Sequence, residues 1–300
     1  MYQGKAILTL LLTAALQKPR RAFAYGFVWP TRTTLIVGSL AFIAGFIVMK
    51  VRLDEWSITE ARRLPLWLVH FAGDLSWFGK SGWLLWPIIA ILLVCLVAGA
   101  RIARSFDRLI LAAISLRLTF LLAAVALPGL LTGILKPLIG RARPFALGQD
   151  DAFLYVPFAY FRELLFGTMA FPEYVYGSMP SGHTTNVFAI AIAFGALWPR
   201  LHPMLWTFAF VIAATRLIIV VHHPTDILVG AAIGAFGALA IRNYFAARRW
   251  VFAVDATGHV YAKPGPQLRD IAGVFMRFWK RPPTAPSTLV IPEANARAGS

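Results

Sequence analysis

The sequence predicts an all-α integral membrane protein, a six-span helical bundle with interfacial helices and a small cytoplasmic C-terminal tail. Three observations predict it. Hydrophobic residues make up 59% of the 300-residue chain and charged residues only 14%, where a soluble domain carries roughly 25%. Six apolar runs, at 33–51, 83–100, 109–135, 183–198, 204–221 and 226–246, reach or approach the roughly 17–25 residues that cross a bilayer. Lys and Arg fall mostly between these runs and in the tails, the pattern of the positive-inside rule.

Taken in order, residues 1–32 form a cytoplasmic N-terminal interfacial segment. The run 6–16 is too short to span, and Lys18-Pro19-Arg20-Arg21 follows it without a cleavage signal, so an uncleaved interfacial helix is expected. The membrane domain occupies 33–246. Between its first two spans, 64–79 carries Trp67, Phe71, Trp77 and Phe78 and reads as an outer interfacial segment. The third span is long and contains Pro128, and the fourth is short. The tail, 247–300, is different in kind. Residues 250–263 alternate apolar positions around Asp255-Ala256-Thr257-Gly258, which predicts a hairpin. Residues 267–281 read as a basic amphipathic helix on the inner leaflet, and disorder is expected beyond Pro282.

Orientation follows from charge. Lys18, Arg20, Arg21, Arg32, Arg101, Arg104, Arg108, Arg200, Arg242, Arg248 and Arg249 share one side if both termini are inside. Arg52, Arg62, Arg63, Lys80 and Arg162 are exceptions on the other side. The net charge of +16 is accounted for by this topology. No basic patch interleaved with aromatics indicates a nucleic-acid partner. The single cysteine, Cys95, excludes an intramolecular disulfide and a thiolate metal site.

Three short segments fall on the outer side: Lys136-x6-Arg143-Pro144, Pro180-Ser181-Gly182-His183 and Arg216-x5-His222-x3-Asp226. Ionisable residues in a membrane protein are costly and mark function by default. Arg143 and Arg216 offer planar forks for phosphate oxygens, and Lys136 adds a point charge. Ser181-Gly182-His183 sits where a loop becomes a helix, and free N–H groups there bind anions. Asp226 starts the last span and is expected to reach back to His222. That contact fixes the tautomer, leaves the other ring nitrogen free to attack, and stabilises the imidazolium. His223 is assigned to the surface. Arg141 either widens the anion site or faces lipid headgroups, the second being favoured. Arg117, inside the third span, is expected to pack and snorkel, and Asn186 to support the site from behind. No carboxylate pair accompanies the histidines, so neither a metal nor a cofactor is expected.

The three segments together resemble the type 2 phosphatidic acid phosphatase superfamily, whose members carry K-x6-R-P, P-S-G-H and S-R-x5-H-x3-D. The resemblance covers about 109–246, and the one departure is Thr215 where the family has Ser. It implies that His222 is the nucleophile forming a phosphohistidine, that Asp226 orients it, and that His183 protonates the leaving oxygen and then helps to activate water. Lys136, Arg143 and Arg216, with Ser181, Gly182 and Thr215, would hold the phosphate.

The expected function is therefore a metal-independent phosphatase of the bacterial inner membrane, with its active site on the periplasmic face. A lipid phosphate or polyprenyl diphosphate in the bilayer would be the substrate, and phosphatidic acid, phosphatidylglycerol phosphate, undecaprenyl diphosphate and a lipid A phosphate all fit. The same phosphohistidine would also serve a lipid phosphotransferase. A non-enzymatic anionic-lipid transporter would not need the His222–Asp226 pair.

Overall fold

The computed structural model describes residues 32–102, 104–146, 155–158, 173–255 and 258–280. The expected N-terminal interfacial helix, the tail beyond Pro282 and most of the 145–179 loop lie outside these residues. The protein is mostly helical. Five stretches, Arg32–Ala61, Leu66–Ala100, Ser105–Ile139, Pro199–Ile218 and Pro224–Ala247, contain helices long and apolar enough to cross a membrane, and Gly182–Leu197 is a shorter apolar helix.

Helix α1 (Arg32–Val48) buries none of its residues among the described residues. A helix that is apolar all round and unpacked suits lipid contact. A π-helical turn, Met49–Leu53, leads into α2 (Asp54–Ala61). Helix α3 (Leu66–Ser76) and a 3₁₀ turn (Trp77–Gly79) follow. Trp67, Phe71, Trp77 and Phe78 are all exposed there.

Helices α4 (Gly82–Arg101), α5 (Ser105–Ile139), α6 (Gly182–Leu197), α7 (His202–Ile218) and α8 (Pro224–Ala247) form the bundle. Helix α5 runs unbroken through Pro128. The core gathers Phe120, Val125, Val187, Ala191, Ala209, Ile212 and Ala238 from four of these helices. Helices α6 and α8 pack most intimately. A Cβ on Gly230 would stand 2.5 Å from the Ser181 carbonyl oxygen, and one on Gly234 only 2.2 Å from that of Thr185. Small residues four apart let two backbones approach where apolar lipid supplies no driving force for association.

Strands β1 (Phe252–Val254) and β2 (Val260–Ala262) pair antiparallel, at the positions the alternation predicts. Phe252 is fully buried and meets Phe120 edge-on at 4.9 Å between ring centroids. Arg117 does more than snorkel. Its guanidinium donates to the carbonyls of Lys263 and Pro264, both at 2.9 Å. Helix α9 (Leu268–Lys280) buries Val274 against the α4–α5 junction. Arg277 grips Asp107 through two hydrogen bonds of 2.7 and 3.0 Å. Leu268, Phe275, Met276 and Trp279 remain exposed along α9.

Candidate active site

The three segments converge at one end of the bundle. Gly140, at φ 62°, closes α5 in the left-handed conformation that glycine adopts without steric cost. The chain then turns inward, so Lys136 stays on the helix while Arg141 and Arg143 leave it. The 173–181 stretch threads across: Val175 accepts from the Arg143 amide at 2.8 Å, and the Ser178 amide donates to the Arg141 carbonyl at 3.0 Å. Lys136 Nζ donates to the carbonyl of Gly177. Ser181 precedes α6 in extended conformation, and its amide donates to the carbonyl of Asp226 at 3.0 Å. That single bond joins the second segment to the third.

Pro224 opens α8, as the missing N–H of proline permits. Asp226 occupies the third helical position, and its carboxylate accepts from the His223 amide at 2.9 Å in a capping box. The preceding turn contains Val220 at φ 54°, an outlying conformation for a β-branched residue.

Asp226 is fully buried and heavily bonded. Arg141 Nη1 donates to Oδ1 at 2.6 Å, and Ser178 Oγ to Oδ2 at 2.6 Å. His223 Nδ1 stands 3.2 Å from the same Oδ2. His222 is nearly as buried, yet its Nδ1 is 3.6 Å from Asp226 Oδ2 and makes no hydrogen bond. The expected His222–Asp226 bond is thus a near contact. Burial pushes the His222 imidazole down to about 3, against the opposing pull of the Asp226 carboxylate, so the ring is neutral at pH 7.

Two expectations are corrected. His223 is not a surface residue: it is fully buried and caps α8 beside Asp226. Arg141 neither widens the anion site nor faces headgroups. It is 1% exposed, with Nη1 on Asp226 and Nη2 on Asp54 at 2.8 Å. In both cases packing of the chain over the segment removes a polar group from water, and a carboxylate compensates.

The other cations differ in kind. Among the described residues, Lys136, Arg143 and Arg216 have no carboxylate within ion-pair distance. Arg216 donates to Ser76 Oγ through Nη1, and its buried Nε has no partner. The Nε of Arg143 is likewise buried without one. His183 lies within electrostatic reach of Arg216, His222 and Lys136. A side chain at Gly182 would meet Lys136 and Thr132, so the N-terminus of α6 faces the same space.

Ser181 is buried, and its Oγ accepts from Thr184 at 2.9 Å, which leaves its own proton to donate. Thr215 is different. Its hydroxyl donates to the Ile212 carbonyl within α7 at 2.7 Å, which turns that proton away from an anion. Asn186 donates to Gly79 at 3.1 Å, and the Gly79 backbone lies against the His183 ring. A cavity of ≈ 260 Å³ opens beside Lys136 and Gly182 and extends along apolar Leu85, Val125 and Leu130.

Four further residues of the site escape a reading by motif: Asp54, Ser76, Ser178 and Thr225. The available signal for Asp54 was a carboxylate directly after an apolar span on the same predicted face as a surplus arginine. Arg62, one of the exceptions to the charge rule, donates to the Pro144 carbonyl at 3.0 Å and so braces the first segment.

A family model described as the PAP2 superfamily matches residues 117–250. The chain is 30% identical over 203 residues to a lipid A 1-phosphatase of Rhizobium johnstonii, covering 68% of this chain and 78% of that protein. It is 33% identical over 193 residues to a lipid A 1-phosphatase of Rhizobium etli, covering 63% and 76%. The crystal structure of Aquifex aeolicus LpxE aligns at a TM-score of 0.42 and 22% identity, over 63% of this chain and 93% of that one, a likeness too slight to argue from.

Proposed function

We propose that this chain, which belongs to the PAP2 superfamily, removes the 1-phosphate of a lipid A-type glycolipid at the periplasmic face of a bacterial inner membrane, through a phosphohistidine. It is an integral membrane protein and a phosphoric monoester hydrolase acting on a lipid phosphate. The choice of lipid follows the two relatives. One observation supports the mechanism: three cations that have no carboxylate partner among the described residues converge with two histidines beside a helix N-terminus.

Phosphoryl transfer depends on positioning and on neutralising the equatorial oxygens. Lys136, Arg143 and Arg216 would grip those oxygens, with Ser181 and the α6 amides completing the cradle. Neutral His222 attacks phosphorus through Nε2 as the P–O bond to the lipid breaks, and His183, which takes up a proton as the phosphate anion enters, gives that proton to the departing oxygen. Asp226 stabilises the positive ring that results, a small movement closing its gap to Nδ1; such contacts commonly tighten only with substrate bound. His183 then takes a proton from water, which attacks the phosphohistidine and frees phosphate and His222. The apolar walls of the cavity beside Lys136 would accommodate an acyl chain.

The test is phosphate release by purified protein from a panel of lipid A, phosphatidic acid, phosphatidylglycerol phosphate and undecaprenyl diphosphate. Lipid A is expected to be preferred, and a chelator to leave turnover intact. His222→Ala and His183→Ala are each expected to lower turnover by ~10³-fold or more while the protein still inserts. Parent-level release by both variants would refute the mechanism, and labelled phosphate recovered in a second lipid would redirect it to phosphotransfer.

A further inference from the structure

We infer that Asp54, at the outer end of the first span, is a positioning residue that sets Asp226 through Arg141. The inference rests on the phosphatase reading above. Asp54 lies outside the region matched by the family model, 117–250, and belongs to none of the three segments.

The geometry is a closed buried circuit. Asp54 is 0% exposed. Its Oδ2 accepts from Arg141 Nη2 at 2.8 Å and from Thr225 Oγ1 at 2.6 Å, and its Oδ1 accepts from the Thr225 amide at 3.0 Å. Arg141 Nη1 donates to Thr225 Oγ1 at 2.7 Å and to Asp226 Oδ1 at 2.6 Å. One guanidinium thus spans two carboxylates, with a threonine hydroxyl between them that accepts from Arg141 and donates to Asp54.

The charge count gives this arrangement its consequence. Arg141 with Asp226 alone is a neutral pair, and a neutral pair offers little to a cation beside it. Adding Asp54 leaves the trio at net −1. That charge sits beside His222, whose ring becomes positive when it carries phosphate. Asp54 also holds Arg141 back from the phosphate, which keeps that anion to Lys136, Arg143 and Arg216. Removing one member of such a buried group leaves an uncompensated charge or an unmatched donor. In Asp54→Asn the amide of the new side chain opposes the Arg141 donor, and Arg141 moves its whole charge onto Asp226.

A purely structural tie between α2 and α8 would also use these bonds, so the test separates the two roles. Asp54→Asn, Arg141→Gln and the double variant are assayed on the preferred lipid, with the thermal midpoint of each recorded in detergent. Expected is a fall in kcat of about 10- to 100-fold with KM within about threefold, because the phosphate holders are untouched. The double variant should be no more than about twofold worse than Arg141→Gln alone, since Asp54 acts through that residue. Asp107→Asn breaks the Asp107–Arg277 pair beside α9 and should leave kcat within about twofold. If Asp54→Asn does not fold, Thr225→Val, which removes only the shared hydroxyl, should show the same split between kcat and KM. A folded Asp54→Asn with parent kcat, or losses that add in the double variant, would overturn the role. If the parent itself releases no phosphate, the phosphatase reading falls and this role with it. A parent that turns over beside an unaffected Asp54→Asn overturns this role alone.

Discussion

Burial keeps His222 neutral, and that has a measurable effect on stability. Its folded value is held near 3, below the ordinary 6.5. Below pH 6.5 the unfolded chain therefore binds a proton that the folded chain refuses. Stability from this group is fully present above about 6.5 and is lost as pH falls toward 3, with a slope of up to about 1.4 kcal/mol per pH unit. The thermal midpoint of the parent should fall more steeply between pH 6.5 and 5 than that of His222→Gln. Equal slopes would show that the ring is already protonated or exposed. The same desolvation explains which residues the motifs misplaced. His223 and Arg141 sit next to motif residues and look no different from solvated neighbours in the chain. Each is buried beside Asp226, and nothing local encodes that. Thr215 shows the reverse: its hydroxyl matches the family pattern in type, yet its proton goes to its own helix.

Among the elements, the crossing of α6 and α8 carries the most chemistry. His183 rides on the first turn of α6 and Asp226 on the first turn of α8, and the Ser181–Asp226 backbone bond ties the two starts together. Gly234 lets the helices touch at backbone distance, one turn deeper than Gly230. A Cβ there would meet backbone oxygen at 2.2 Å, and backbone cannot rotate aside as a side chain would. Gly234→Ala should therefore cost about 1–3 kcal/mol and reduce turnover, as the two starts are levered apart. An unchanged thermal midpoint would mean that the crossing relaxes freely. The element boundaries follow plain local chemistry. Pro224 starts α8 and Gly140 ends α5, and the Gly258 amide donates to the Asp255 carbonyl at 3.2 Å where β2 comes back to β1.

At the scale of the molecule, α9 packs where α5 begins, with Arg277 on Asp107, and the candidate site lies where α5 ends, at Lys136. The sole cysteine is buried, which makes labelling a clean test of orientation. In a Cys95→Ser background, Lys80→Cys and Arg269→Cys place thiols at exposed positions, one beside the site and one on α9. A membrane-impermeant maleimide added to intact spheroplasts should label Lys80→Cys at once and Arg269→Cys only after permeabilisation. The opposite order would invert the proposed topology. The exposed apolar residues of α9 fit the inner leaflet in this orientation.

The fold class, the approximate ends of the apolar helices, the tail hairpin and the three segments that meet at the candidate site were all legible in the chain alone. These are local quantities: apolar run length, a period of 3.6 or 2, and the spacing of a few side chains within one segment. Tertiary structure alone decided which groups share charge. The Arg141–Asp54 and Arg141–Asp226 pairs join residues 87 and 85 positions apart, and Asp54 meets Thr225 across 171. Partners so distant are set by how the helices pack and by which charges that packing removes from water. The same packing made Arg141 part of the scaffold and left Lys136, Arg143 and Arg216 with no carboxylate within ion-pair distance among the described residues.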